Sequence, residues 1–242
     1  MADPADPRTP VATAIADTVA STESVFADID GLTDAEAREP SLLPGWSRGH
    51  VLTHLARNAD AMVNLLTWAR TGDETPMYPS REQRTADIEA GSGRSASDLV
   101  VDVHATHERM LATMDAMPDA AWDNPLRYGL RKTEALGRDI PHIRRVEIEV
   151  HHVDLNLAYT LAHLPEHFVE RMLSDVSADY SADPDKPGMV LVGIDGEGRW
   201  TVEPGGPEVS GPPPSLLGWL LGRTDGVGLH ADGPLPTLGA WR

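Results

Sequence analysis

The residues best suited to chemistry lie in the stretch IPHIRRVEIEVHHVDLNLAYTL, residues 140–161. On a helix of 100° per residue, Ile143, Glu147, Val150, His151, Asp154, Ala158 and Leu161 share one apolar face, while Glu149 and His152 point roughly the opposite way. A carboxylate on an inward stripe needs a cation, a proton or a metal, because burying it alone is costly. Glu147 and His151 stand one helical turn apart, the spacing at which a Glu and a His can share one metal ion. Spacing alone also allows a Glu–His contact within the helix, completed by a nearby arginine such as Arg144.

A third ligand would separate these readings. The stretch SRGHVLTHLARNADAMVNLLTWA, residues 47–69, carries a stripe of Val51, Leu55, Met62, Leu66 and Ala69, with His54 and Asn58 on its flank and His50 further round. Helix bundles build metal sites from side chains on facing helices. His54 opposite Glu147 and His151 would give His, Glu and His, a set that suits zinc with one position open. The plainer alternative is a half-buried His54 bonded to a carbonyl. His104 and His107, beside Glu108, read as a solvated face; His163 and His167 flank a domain junction. The acidic residues from Asp115 to Asp123 read as solvated surface, and Trp46, Trp68 and Trp219 as core packing that could also line a pocket.

The elements that must position these groups are legible in the pattern. Periodicity predicts long helices over 9–30, 47–71, 95–117 and 139–162, the second opened by Ser47 as N-cap after Pro44-Gly45, and four such helices make a bundle. The connection from Pro76 to Gly93, weakly helical from Glu82 to Ala90, suits a crossover or a lid. Later the texture changes: 13 of the 21 Gly lie from Gly188 onward. We therefore expect two domains, a helical bundle over 1–164 and a small α/β domain over 165–242. In the latter, EHFVERMLSDVSADY reads as a helix and MVLVGIDGEGRWTV as two strands turning at Asp195-Gly196. EVSG reads as a third strand, and the triple proline 212–214 opens a helix over SLLGWLLG.

Composition narrows the partners. The 242 residues hold 20 Lys plus Arg against 38 Asp plus Glu, a formal charge of −18, which argues against nucleic acid and anionic membranes. Forty per cent hydrophobic residues mark a globular chain. The absence of cysteine excludes disulfides, thiolate ligands and a thiol nucleophile of the chain's own, so any sulfur chemistry must arrive with a small molecule. The amino end carries acids and prolines where a secretory signal needs basic and apolar residues, and no stretch has the roughly 18–20 apolar residues of a membrane span. A soluble, cytoplasmic, monomeric protein is the expectation.

Three stretches together are distinctive. LLPGWSRGHVLTHLARNADAMVNLLTWARTGDETPMY, then RRVEIEVHHVDL, then GWLLGRTDGV resemble, in order and over essentially the whole chain, the mycothiol-dependent maleylpyruvate isomerase family. The resemblance implies a mainly α plus α/β protein: a DinB-like four-helix bundle holding a divalent metal, normally zinc, and a small C-terminal sterol-carrier-like α/β domain. It places the metal ligands on His54, Glu147 and His151, the three residues chosen above by face and spacing. It also places a functionally important arginine on Arg223, which composition could not single out. The Glu74 to Tyr78 stretch also matches and is expected near the cleft, without an evident role.

The implied reaction is cis to trans isomerisation of maleylpyruvate to fumarylpyruvate in gentisate breakdown. Addition of a thiolate makes the double bond single, and rotation and expulsion of the thiolate then give the trans product. The cofactors implied are Zn2+ or another divalent metal and mycothiol, with ergothioneine as a possible substitute. Arg223 would meet a carboxylate or the developing enolate oxygen of the anionic substrate; Arg81, Arg84 and Arg144 are further candidates, each more simply read as surface or helix-face charge. This arrangement would set the active site in a cleft between the domains. Two other readings share the features: a zinc-dependent thiol S-transferase acting on electrophiles, and a non-catalytic protein with a structural metal and an apolar ligand in the C-terminal domain.

Overall fold

The computed structural model describes residues 9–129, 132–194, 198–239 and 241. The chain divides into two compact units, 1–158 and 159–242. The first contains α1 (Thr9–Ile29), a short α2 (Asp34–Arg38), α3 (Arg48–Thr71), α4 (Arg81–Ser92), α5 (Ala96–Asp115) and α6 (Ile140–Asp154). Between α5 and α6 lies a hairpin of β1 (Pro125–Tyr128) and β2 (Thr133–Leu136).

Helices α3 to α6 each have a local reason to begin or end where they do. The Ser47 backbone before α3 is extended (φ −83°, ψ 170°), and its N–H donates to Nδ1 of His50 at 3.1 Å. Gly72 ends α3 in the left-handed region that glycine adopts without steric cost (φ 79°), its N–H returning to the Trp68 carbonyl. Ser80 and Ser95 cap α4 and α5 by accepting from the N–H groups of Gln83 and Asp98. Helix α6 stops at Asp154, short of the expected 162. Asn156 turns into the left-handed region (φ 54°), and Arg48 of α3 takes the terminal carbonyls of Leu155 and Asn156, each at 2.8 Å. Arg48 thus pins the two helices together at one end.

The four long helices pack around two apolar clusters. One joins Met62, Leu65 and Leu66 of α3 to Met110 and Met114 of α5 and Ile140 of α6; the other joins Val25 and Ile29 of α1 to Leu52, Leu55, Leu99, Val103 and Ile148. The face of α6 carrying Glu149 and His152 does not point to solvent. It packs on α1, where Ser21 Oγ donates to Glu149 Oε1 at 2.6 Å, Arg145 Nη1 donates to Asp17 at 2.7 Å and His152 Nε2 donates to Asp28 at 2.9 Å. Both faces of α6 are covered by other helices, which a single-helix projection cannot register. His107 is likewise buried rather than solvated, while its neighbour His104 stacks on Phe26 at 3.6 Å. Neither the short α2 nor the β1–β2 hairpin has an expectation in the sequence. The strands of the hairpin are four residues long, and on β1 only Leu126 is buried, too short an alternation to stand out.

In the second unit α7 (Glu166–Ser181) and α8 (Pro213–Leu220) accompany a sheet of β3 (Met189–Gly193), β4 (Arg199–Val202), β5 (Glu208–Gly211) and β6 (His230–Ala231) in the order β4-β3-β5-β6. Strand β3 pairs antiparallel with β4 and parallel with β5. The expected turn at Asp195-Gly196 lies outside the described residues. Tyr180 of α7 donates its hydroxyl to the Leu220 carbonyl at 2.7 Å, tying the two helices. Residues 159–164, assigned above to the bundle, group with this unit because Leu161 sits directly on Gly218 of α8, where any added Cβ would meet it at 2.3 Å. Among the described residues no helix is long and apolar enough to cross a membrane.

Candidate metal centre

Helices α3 and α6 run antiparallel, as the pairing of Arg48 with Leu155 at one end and of Arg144 with Leu55 and Asn58 further along shows. Between these two points the helices bring His54, Glu147 and His151 level. His54 Nε2 lies 3.0 Å from Glu147 Oε2 and 3.0 Å from His151 Nε2, and the last two atoms are 3.5 Å apart. In a tetrahedral site with metal–ligand bonds of about 2.0–2.1 Å, neighbouring ligand atoms are separated by about 3.3–3.4 Å. The three atoms therefore outline one face of such a tetrahedron. Two imidazole nitrogens and a carboxylate oxygen form a donor set suited to zinc, and three protein ligands leave a fourth position to solvent or substrate.

The three groups differ in the protonation state their surroundings favour. Burial, reinforced by the neighbouring His151 charge, pushes His54 down to about 4, so its ring is neutral at pH 7. Burial alone would raise Glu147, but hydrogen bonds from His151 and His54 outweigh it and hold the carboxylate ionised, well below its usual range. For His151, burial is outweighed by the hydrogen bonds to Asp154 and Glu147, which raise it. His151 Nδ1 donates to Oδ2 of the fully buried Asp154 at 2.8 Å, which turns Nε2 toward the other two ligands. Trp46 stands edge-on to the His54 ring at 5.9 Å.

Of the candidates named from the sequence, His54, Glu147 and His151 are brought together as one cluster. His54 is not the carbonyl-bonded histidine of the plainer reading. Arg144 does not complete a Glu–His contact; its Nη1 donates instead to the Leu55 carbonyl at 2.9 Å and to Asn58 Oδ1 at 2.7 Å on α3. Nor is Arg144 a surface or helix-face charge, since it is 0% exposed. Arg223 belongs to the second unit, just after α8, where its Nη1 donates to the Leu221 carbonyl at 2.7 Å.

Three neighbours of the ligands have no part at the metal centre in the sequence, where Arg84 is a candidate only for the substrate anion or a surface charge. Asp154, three residues after His151 on the same face, could have been found from that spacing. Arg84 of α4, whose Nη2 donates to His54 Nδ1 at 3.2 Å, could not, because nothing local ties α4 to α3. Tyr78 sits in the connection before α4, beneath the Arg84 guanidinium, 5.7 Å from the ring centre.

Residues 18–156 match the mycothiol maleylpyruvate isomerase N-terminal domain, and residues 162–240 the C-terminal domain of the same family. Two solved structures are similar, a mycothiol-dependent maleylpyruvate isomerase and a histidine-to-alanine mutant of that enzyme. Each has a TM-score of 0.89 and 26% identity, covering 96% of this chain and 97% of the other. No curated protein matches.

Proposed function

The chain belongs to the mycothiol maleylpyruvate isomerase family, and from that premise we propose that it isomerises maleylpyruvate to fumarylpyruvate with zinc and mycothiol, serving gentisate breakdown. The observation that carries this reading is the convergence of His54, Glu147 and His151 within 3.5 Å of one another from two facing helices of a cysteine-free chain. When bound, the metal supplies a Lewis acid that favours thiolate over thiol, and mycothiol supplies the soft nucleophile whose reversible addition frees the double bond to rotate.

The chain's own residues do the rest. His54 stays neutral because its burial penalises the imidazolium, and Glu147 stays ionised through the hydrogen bonds it accepts. Asp154 accepts the proton on His151 Nδ1, so Nε2 is the ring atom that would release its proton from Glu147 to take a metal. Arg223 acts in turnover rather than in metal binding, pairing its guanidinium fork with a substrate carboxylate or with oxyanion charge that develops during the reaction.

The test follows maleylpyruvate by absorbance and free thiol by titration in one tube. Isomerisation is expected to require thiol and to leave its concentration unchanged over many turnovers. Stoichiometric loss of thiol into a stable adduct would establish an S-transferase instead, and full turnover without thiol would refute the mechanism. His54→Ala should remove metal and activity together. Arg223→Lys, which keeps the charge but loses the bidentate fork, should lose turnover with metal content intact.

A further inference from the structure

The interior of the bundle holds a cation that the metal centre does not use. Arg144 lies on α6 one turn before Glu147 and is 0% exposed. Its Nη1 is satisfied by Leu55 and Asn58, but Nε and Nη2 meet no acceptor among the described residues. Two carboxylates, Glu147 and Asp60, lie close enough for their fields to act on Arg144. Neither is available to it: the Glu147 carboxylate is turned to His54 and His151, and Asp60 is tied to Arg57 and Arg109. A guanidinium buried without a carboxylate is costly, and such a residue is a marker of a binding site rather than of stability.

A second orphan stands beside it. The buried Tyr78 hydroxyl makes no hydrogen bond of full geometry among the described residues, although the Asn58 and Arg84 side chains stand near enough to offset part of its burial. It neighbours Asn58, the residue that also holds Arg144, and Arg84. Burial raises the Tyr78 pKa, so the group remains a phenol with a proton to donate. Two N–H groups of one guanidinium and a phenol O–H, gathered around Asn58 a helical turn from the metal ligands, are the donors a carboxylate accepts from.

We propose that Arg144 and Tyr78 form a carboxylate-binding subsite beside the metal ligands, in which the free edge of the guanidinium and the phenol hydroxyl receive one carboxylate of the substrate. The inference rests on the isomerase reading only in naming that substrate as maleylpyruvate, a dicarboxylate. An anion bound here would be oriented with its far end toward His54, Glu147 and His151. In a protein of charge −18 such a subsite would also supply the local positive potential that bulk composition denies to an anionic substrate.

The experiment uses maleate, a dicarboxylate smaller than the substrate, titrated calorimetrically into the full-length zinc-loaded protein. Wild type should bind it, Arg144→Gln should bind it at least about tenfold more weakly and Tyr78→Phe several-fold more weakly, with zinc content unchanged in both. The KM for maleylpyruvate should rise by similar factors while the KM for mycothiol holds. Maleate affinity within twofold of wild type in both variants would overturn the subsite, as would a wild type that does not bind maleate. Should Arg144→Gln fail to fold, Tyr78→Phe decides the matter alone, because its ring remains and only the hydroxyl is lost. Binding is read without turnover. A wild type that binds maleate through Arg144 yet does not isomerise maleylpyruvate would therefore sink the proposed function and leave the subsite standing.

Discussion

His151 Nδ1 donates to the buried carboxylate of Asp154 at 2.8 Å, so the imidazole that faces Glu147 is oriented from behind by a residue one turn further along the same helix. Outer partners of this kind hold a ligating histidine in one tautomer and raise its basicity. Asp154→Asn replaces the anion with an amide of the same shape. Metal affinity, read by competition with a chromogenic chelator, should fall by about 10- to 100-fold. Unchanged affinity would show that the helix alone sets the ring.

Arg84 opposes the metal. A guanidinium can only donate, so its contact with His54 Nδ1 makes that nitrogen the acceptor and leaves the proton on Nε2, the atom that would have to bind metal. A metal on Nε2 requires the proton on Nδ1, where it would face Arg84. Arg84→Met should therefore tighten metal binding several-fold in the same chelator competition. Weaker binding would show that Arg84 supports the site instead.

The opposite face of α6 should govern stability and not the metal. Glu149 is 2% exposed and accepts from Ser21 of α1, with Arg145 alongside at 3.6 Å. Glu149→Ala should cost about 3 kcal/mol in urea unfolding, because it leaves a buried cation short of a partner. Zinc content in the folded fraction should be unaffected. Loss of metal at unchanged stability would contradict the packing described above.

His107 predicts a pH dependence. Burial, with a contribution from the Arg144 charge, pushes it down to about 4, against an ordinary value of 6.5. Between those values the unfolded chain binds a proton that the folded chain refuses, so stability falls as pH drops from 6.5 toward 4 and this loss saturates below 4. His107→Gln cannot take up that proton and should flatten the decline in unfolding free energy across this window. A variant with the wild-type slope would remove His107 as its source.

Local pattern determined much of this protein. The starts of the four long helices, three of the four strands of the C-terminal sheet and the shared face of Glu147 and His151 all follow from period, capping and turn chemistry, interactions that act within a few residues. The facing His54 was reachable too, because bundles pair polar residues on inward stripes. What only the tertiary structure decided is which polar groups meet across helices. The burial of Glu149, His152 and His107, the stop of α6 where Arg48 takes its last carbonyls, and the approach of Arg84 to His54 all join residues from 30 to 128 positions apart. A helical projection assigns each residue an angle but not a neighbour. It therefore read Arg144 as a surface or helix-face charge, whereas packing against α3 made it a buried cation with part of its hydrogen-bonding capacity unused.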